Sequence, residues 1–309
     1  MEGLLSRLKR GDVLVGDGAW GTQLMLRGLP PGRPPEWFAL EKPEVLEEVA
    51  RLYLEAGADL VTTDTFGGTS FRLKLHGLDG ERDRVNRQAV EAVKRAVGGR
   101  ALVSASVGPS GQLLEPYGDT SPDAVEEAFA EQIAVLASAG ADVLCIETMG
   151  DLTEAVRAVK AAKAMAPGVP VMATMTFEPT SRGYFTVMGV SVEKAVAGLE
   201  AAGADVVGSN CGTGIEDLVS IARAMTRATR LPLLIQPNAG LPQSRDGQVV
   251  YDETPETMAA RVPELLDLGV AIVGGCCGTT PEHTRAIRRA VDAWLPTAKP
   301  RRRTASAPP

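Results

Sequence analysis

Only four cysteines occur in the 309 residues, yet two of them, Cys276 and Cys277, stand side by side in the run GGCCGTTPEH (274–283). A third, Cys211, lies in GSNCGTG (208–214), in a matching glycine-flanked context. A lone pair could be two buried structural thiols or a vicinal disulfide, although adjacent residues bridge only with strained geometry. The third cysteine points to metal, because thiolate-rich sites select zinc over hard cations. A catalytic zinc keeps three protein ligands and one open position. Cys211, Cys276 and Cys277 supply three. Neither histidine supplies a convincing fourth: His76 lies in a helix–loop region, and His283 falls in the first turn of a helix, where a solvated side chain is expected. The expected centre is an open zinc site. The remaining cysteine, Cys145, lies inside the apolar run VLCIE and is expected to be a small core residue.

A repeated unit must position these residues. YLEAGADLVTTDTF starts at Tyr53, LASAGADVLCIETM at Leu136 and LEAAGADVVGSNCG at Leu199, with a looser copy, LLDLGVAIVGGCCG, from Leu265. In each, an amphipathic helix ends at glycine, which tolerates a left-handed C-cap. A short β-branched, apolar strand follows, too uniformly apolar to have one face in water, as in a parallel sheet buried on both sides. The preceding helices show the matching period: in PEVLEEVARLYLEAG, Val45, Leu46, Val49, Leu52, Tyr53 and Ala56 share one face. Ser121-Pro122, Thr254-Pro255 and Thr280-Pro281 pair a cap residue with proline at the first helical position.

Strands are expected at 13–17, 60–63, 101–107, 143–147, 169–176, 205–209, 232–236 and 270–275. Eight such units with helices between them predict an α/β fold of the (β/α)8 TIM-barrel class. The rival is a doubly wound open sheet with a glycine-rich phosphate turn. GDGAWGT, with glycines at 16, 18 and 21, resembles that fingerprint only superficially, and the eightfold count favours the barrel.

Barrel enzymes place their chemistry at the C-terminal strand ends. There the chain offers Asp17, then Thr63-Asp64-Thr65, Ser106 to Gly108, Glu147, Thr176, Asn210-Cys211, Gln236 to Asn238, and Cys276-Cys277. Three cysteines fall on this rim. So do Asn210 and Asn238, two of the three asparagines in the chain.

A net charge of −7 is at odds with a nucleic-acid binder, whose body should carry a basic stripe. The basic residues of AKPRRRTASAPP belong to an expected tail or interdomain linker, 297–309, following a barrel domain of 1–296. No apolar run approaches the roughly 20 residues of a membrane span. The start lacks a signal-peptide core, and four cysteines form no disulfide framework, so a reducing cytoplasm is the expected location.

DGAWGTQL, DTFGGTSFRL, GPSGQLLEPYGD, CIETMGDL, MTFE, GSNCGTG, QPNAGLP with YDETPE, and GGCCGTTPEH together resemble the homocysteine-binding domain of the homocysteine S-methyltransferase family. GPSGQLLEPYGD and PNAGLP are most similar to the N-terminal module of cobalamin-dependent methionine synthases. One departure is Asp64, where the family's TNTF motif carries asparagine.

The resemblance implies zinc on Cys211, Cys276 and Cys277, with Asn238 near the metal when substrate is absent. It implies that the amino group of homocysteine meets Glu147 and Asp17, and its carboxylate the backbone N–H groups around Gly18 and Ala19. Thr65 is placed in the same substrate pocket. A free thiol titrates near pH 8.5, so only a few per cent is thiolate at neutrality. Coordination to zinc deprotonates it outright. Three thiolate ligands keep the substrate sulfur electron-rich, and it attacks a methyl group in line to give methionine.

Neither histidine sits in the D-x-H-x-x-G of a cobalamin module, and the length leaves no room for a folate barrel. The chain is therefore expected to be a homocysteine module or subunit, receiving methyl from methylcobalamin carried by another domain or protein. Its partners would be cobalamin-binding and folate-binding domains or subunits. One alternative is a stand-alone enzyme using S-methylmethionine or betaine. Another is a non-enzymatic zinc or thiol-redox protein.

Overall fold

The computed structural model describes residues 2–245 and 248–297. From residue 298 onward, the tail expected at 297–309 lies outside the described residues. All eight expected segments form strands: β1 (Leu14–Val15), β2 (Leu60–Thr62), β3 (Leu102–Val107), β4 (Val143–Met149), β5 (Val171–Met175), β6 (Val206–Asn210), β7 (Leu233–Gln236) and β8 (Ile272–Val273). They pair in parallel in the order β1-β8-β7-β6-β5-β4-β3-β2, and a parallel bridge between Gly16 and Leu60 joins the last strand to the first. The sheet is a closed (β/α)8 barrel.

β1 and β8 are the shortest strands, and beyond them glycines let the two backbones approach closely at the top. A Cβ on Gly274 would come 3.1 Å from Gly16 Cα.

Side chains alternate across each strand, which sorts them into two cores. Outward-facing Val15, Val61, Val103, Leu144, Ala173, Val207, Ile235 and Val273 pack under the helices. Inward-facing Leu14, Leu60, Leu102, Cys145, Met172, Leu234 and Ile272 form a separate interior cluster. The first helix, Leu4–Arg10, lays Leu4 and Leu8 against that cluster at the N-terminal strand ends. Two residues further along the same inward rows the chemistry changes to Thr62, Ser104, Glu147, Thr174 and Gln236. The barrel is thus apolar below and polar at its C-terminal mouth.

The expected caps form. Ser121 accepts from Ala124 N–H and Thr254 from Thr257 N–H. At the third, Thr280 N–H donates to His283 Nδ1 at 3.1 Å, while His283 Nε2 lies 3.0 Å from the Glu253 carbonyl. His283 is therefore buried, not solvated as the sequence suggested, because both ring nitrogens have backbone partners. Two short antiparallel hairpins not expected from the sequence follow β5 (Glu178–Thr180 with Gly183–Phe185) and β7 (Gln243–Arg245 with Gln248–Val250). Among the described residues, no helix is long and apolar enough to cross a membrane.

Candidate active site

Cys211 follows β6 directly, and Cys276 and Cys277 follow β8 after Gly274 and Gly275. β7 pins both segments between these strands: Cys211 N–H donates to Gln236 O (3.1 Å) and Cys276 N–H to Pro237 O (2.8 Å). Their three sulfurs lie within 4.8 Å of one another. Cys211 and Cys277 Sγ are 3.7 Å apart, well beyond a disulfide bond, and all the cysteines are free. Cys211 has φ of 62°, an uncommon conformation for a non-glycine residue, and Thr148 after Glu147 has φ of 61°. Hydrogen bonds from Cys276 and Cys277 draw the Cys211 thiol down, while the same contacts push those two up.

This donor set suits a soft metal. Three sulfurs converge from two strand ends, and the Asn238 side chain hydrogen-bonds Cys211 while its Oδ1 is buried without a hydrogen-bond partner. Three converging thiol groups, with an orphaned amide oxygen on the side chain that touches Cys211, fit a zinc-type ion better than a structural core.

Two acidic residues line the central cavity below the sulfurs, together with Thr62, Ser104, Cys145 and Gln236. Asp17 is held rigidly. Its Oδ2 accepts from Trp20 Nε1 (2.8 Å) and Thr62 N–H (2.7 Å), and its Oδ1 from the Thr62 hydroxyl (2.8 Å). Burial nevertheless raises its pKa to about 6, against those hydrogen bonds. Glu147 Oε1 accepts from the Ser106 hydroxyl at 2.5 Å. Burial, with the charges of Asp17 and Cys211, pushes Glu147 up to about 7. Two buried carboxyl groups with little positive charge about them make a cavity that favours a cation.

The other expected residues are placed unevenly. Ala19 N–H donates to Thr279 Oγ1 (3.1 Å) and Ala19 O accepts from Tyr53 (2.8 Å), so that part of the expected carboxylate cradle is engaged within the chain. Gly18 is closely packed: a Cβ there would lie 2.6 Å from Thr279 Oγ1. Thr65 is fully buried, its hydroxyl donating to Ser106 O (2.7 Å). Asp64 is buried, with Oδ2 lacking a partner; burial and the neighbouring Glu36 push it far above the usual carboxylate range.

Sequence reasoning did not single out Thr62, Thr279 or Tyr251, and it noted Ser106 and Asn210 only by position. The inward parity of β2 and β3 was the available signal for Thr62 and Ser106. Tyr251, in YDETPE, lies against the Cys277–Gly278 turn: a Cβ on Gly278, whose φ is +78°, would meet its ring at 2.2 Å. Burial and the charge of Cys277, which its hydroxyl hydrogen-bonds, raise the Tyr251 phenol to about 12.

Residues 14–291 match the homocysteine S-methyltransferase family. Methionine synthase from Mycobacterium leprae (strain TN) is 35% identical over 298 residues, 90% of this chain, and that of Mycobacterium tuberculosis is 33% identical over 303 residues. The chain spans about a quarter (24%) of the length of these relatives. Among solved structures, the homocysteine methyltransferase MmuM from Escherichia coli in its metallated form superposes with a TM-score of 0.77 at 25% identity, covering 92% of this chain and 98% of that one.

Proposed function

This chain belongs to the homocysteine S-methyltransferase family, and we propose that it transfers a methyl group to the thiol of L-homocysteine, giving L-methionine, at a zinc site made by Cys211, Cys276 and Cys277. The observation that carries this reading is the convergence of three free sulfurs at the barrel mouth, above a cavity lined by two buried carboxyl groups. When bound there, zinc supplies the Lewis acidity that keeps an incoming thiol ionised at neutral pH. The chain's own residues bind and orient the amino acid. Glu147 takes the substrate ammonium, and Ser106 fixes the carboxylate's direction. Asp17, already accepting three hydrogen bonds, adds negative potential and acts as neither acid nor base. Gly18 and Ala19 form the proposed wall on the substrate carboxylate's side, and Asn238 lies beside the metal position.

We assign the methyl group to methylcobalamin carried by another domain or protein, in a reducing cytoplasm. Support comes from relatives named methionine synthase that are about four times as long as the aligned segment. A second reading, a stand-alone enzyme using S-methylmethionine or betaine, is favoured by the near-complete coverage of MmuM, 98% of its chain. Zinc-loaded protein with homocysteine and each donor in turn separates them. Methionine formed from methylcobalamin supports the module. Turnover with S-methylmethionine and none with methylcobalamin would falsify it. No turnover with any donor, and no zinc bound after anaerobic metal loading, rejects the enzyme reading altogether.

A further inference from the structure

Asn210 connects the carboxyl side of the cavity to the sulfur side. Its Oδ1 accepts from Thr148 N–H (2.9 Å) and from the Thr174 hydroxyl (2.7 Å), which fixes which end of the amide is oxygen. Nδ2 therefore faces three acceptors: Thr148 Oγ1 at 2.8 Å, Glu147 Oε2 at 3.3 Å and Cys276 Sγ at 3.7 Å. An amide nitrogen carries only two hydrogens. Thr148 has the shortest contact and holds one of them. The second must be divided between a carboxylate and a sulfur.

We propose that Asn210 is a positioning residue that couples recognition of the substrate's amino group to the thiolate centre, its second N–H turning from Glu147 to Cys276 when an ammonium group occupies the Glu147 carboxylate. This rests on the reading that Glu147 meets the ammonium and that the three cysteines hold a metal. Charge decides the division. Above pH 7, where Glu147 is ionised and no cation sits on it, its carboxylate is the stronger acceptor at the shorter distance and holds the N–H. An ammonium on Glu147 neutralises that pull, leaving the thiolate as the remaining anionic acceptor. The backbone is built to keep the amide in place. Both of its ends engage Thr148, whose φ is 61°, and the residue next to Asn210 is Cys211 with φ of 62°. One side chain thus fixes the turn after Glu147 while its backbone leads into a metal ligand.

The test uses cobalt(II) in place of zinc and reads the sulfur-to-cobalt charge-transfer absorption. Homocysteine is compared with 4-mercaptobutanoate, which has the same thiol and carboxylate but no amino group. An N–H directed at a thiolate stabilises the sulfur electrons, so the band moves to shorter wavelength. In the wild type, the homocysteine complex should absorb at shorter wavelength than the 4-mercaptobutanoate complex. In Asn210→Ser the two bands should coincide, and the affinity advantage of homocysteine over the analogue should fall by about tenfold, as for loss of other groups that orient metal ligands. Glu147→Gln guards against a variant that fails to fold: with 4-mercaptobutanoate it should already show the shorter-wavelength band, because its neutral amide no longer holds the N–H. Bands that coincide in the wild type, a separation that persists in Asn210→Ser, or an unmoved band in Glu147→Gln each overturn the coupling. A wild type that takes up no cobalt sinks the metal reading and the coupling with it.

Discussion

Tyr251 touches one of the proposed zinc ligands and none of the residues proposed to hold the substrate. Its hydroxyl reaches Cys277, and its ring rests on the Gly278 backbone. Tyr251→Phe keeps the ring and removes one donor to a thiolate. The variant should lose zinc to a chelator at roughly ten times lower chelator concentration, the usual scale for such partners. Unchanged chelator competition would show the hydroxyl to be a bystander. A second expectation at this scale concerns pH. Glu147 and Asp17 have pKa values raised to about 7 and about 6 by burial. Only the ionised forms hold an ammonium, so homocysteine affinity should weaken as pH falls from 8 through 6. Stability runs the other way. Each group is protonated more readily folded than unfolded, so its contribution is complete below the unfolded value near 4, and it is lost as pH rises through 6 and 7. Metal-free protein should therefore melt a few degrees higher at pH 5.5 than at pH 8. Titration calorimetry and thermal scans read the two trends; parallel trends would show that these carboxyl groups control neither.

At the scale of elements, legibility in the sequence followed burial. The strands were visible because each is apolar on both faces and follows a helix ending at glycine, a pattern forced by enclosure between interior and helices. The three cysteines were visible because strand ends in a barrel share one mouth. The hairpin Glu178–Thr180 with Gly183–Phe185 was not, since its strands are short and largely exposed and carry no apolar period. Asn210 was placed at the rim by position, but its three-way contact depends on a left-handed turn in β4 that no local residue announces. His283 was misjudged because its cap was recognised while its partner, the Glu253 carbonyl, comes from another loop. Gly208 offers a test of the strand packing. It pairs with Leu234, and a Cβ there would sit 1.9 Å from that residue's carbonyl oxygen. Gly208→Ala should cost about 3 kcal/mol in urea unfolding, as overpacking against backbone does. A midpoint equal to wild type would show that β6 and β7 can separate locally.

On the scale of the whole molecule, a closed barrel must fasten its first and last units, and Asp59 does this at the end opposite the sulfurs. Just ahead of β2, its carboxylate accepts from Val15 N–H in β1 (2.9 Å), from Arg7 in the first helix (2.7 Å) and from Arg288 in the last helix, Pro281–Trp294 (3.1 Å). Its backbone N–H donates to Val15 O (2.7 Å), and its carbonyl accepts from Leu102 N–H in β3 (2.8 Å). Both arginines and the aspartate are about four-fifths buried, with side-chain exposures of 18%, 21% and 19%. A pair in that setting is screened less than a surface bridge, and here it also carries a backbone N–H that has no other acceptor. Asp59→Ala leaves the Val15 N–H without its acceptor and takes one of two carboxylate partners from each guanidinium, Arg7 keeping Asp12 and Arg288 keeping Asp292, and should cost about 2 kcal/mol. Asp59→Asn keeps one oxygen for Val15 and should cost about half as much. Because the loss is shared by elements from both ends of the described chain, the urea midpoint should shift without a change in slope, and zinc affinity at 25 °C should stay at the wild-type value. Zinc loss matching the loss in stability would mean that the two ends of the barrel are not independent. An Asp59→Ala protein as stable as wild type would mean that strand pairing alone closes the ring.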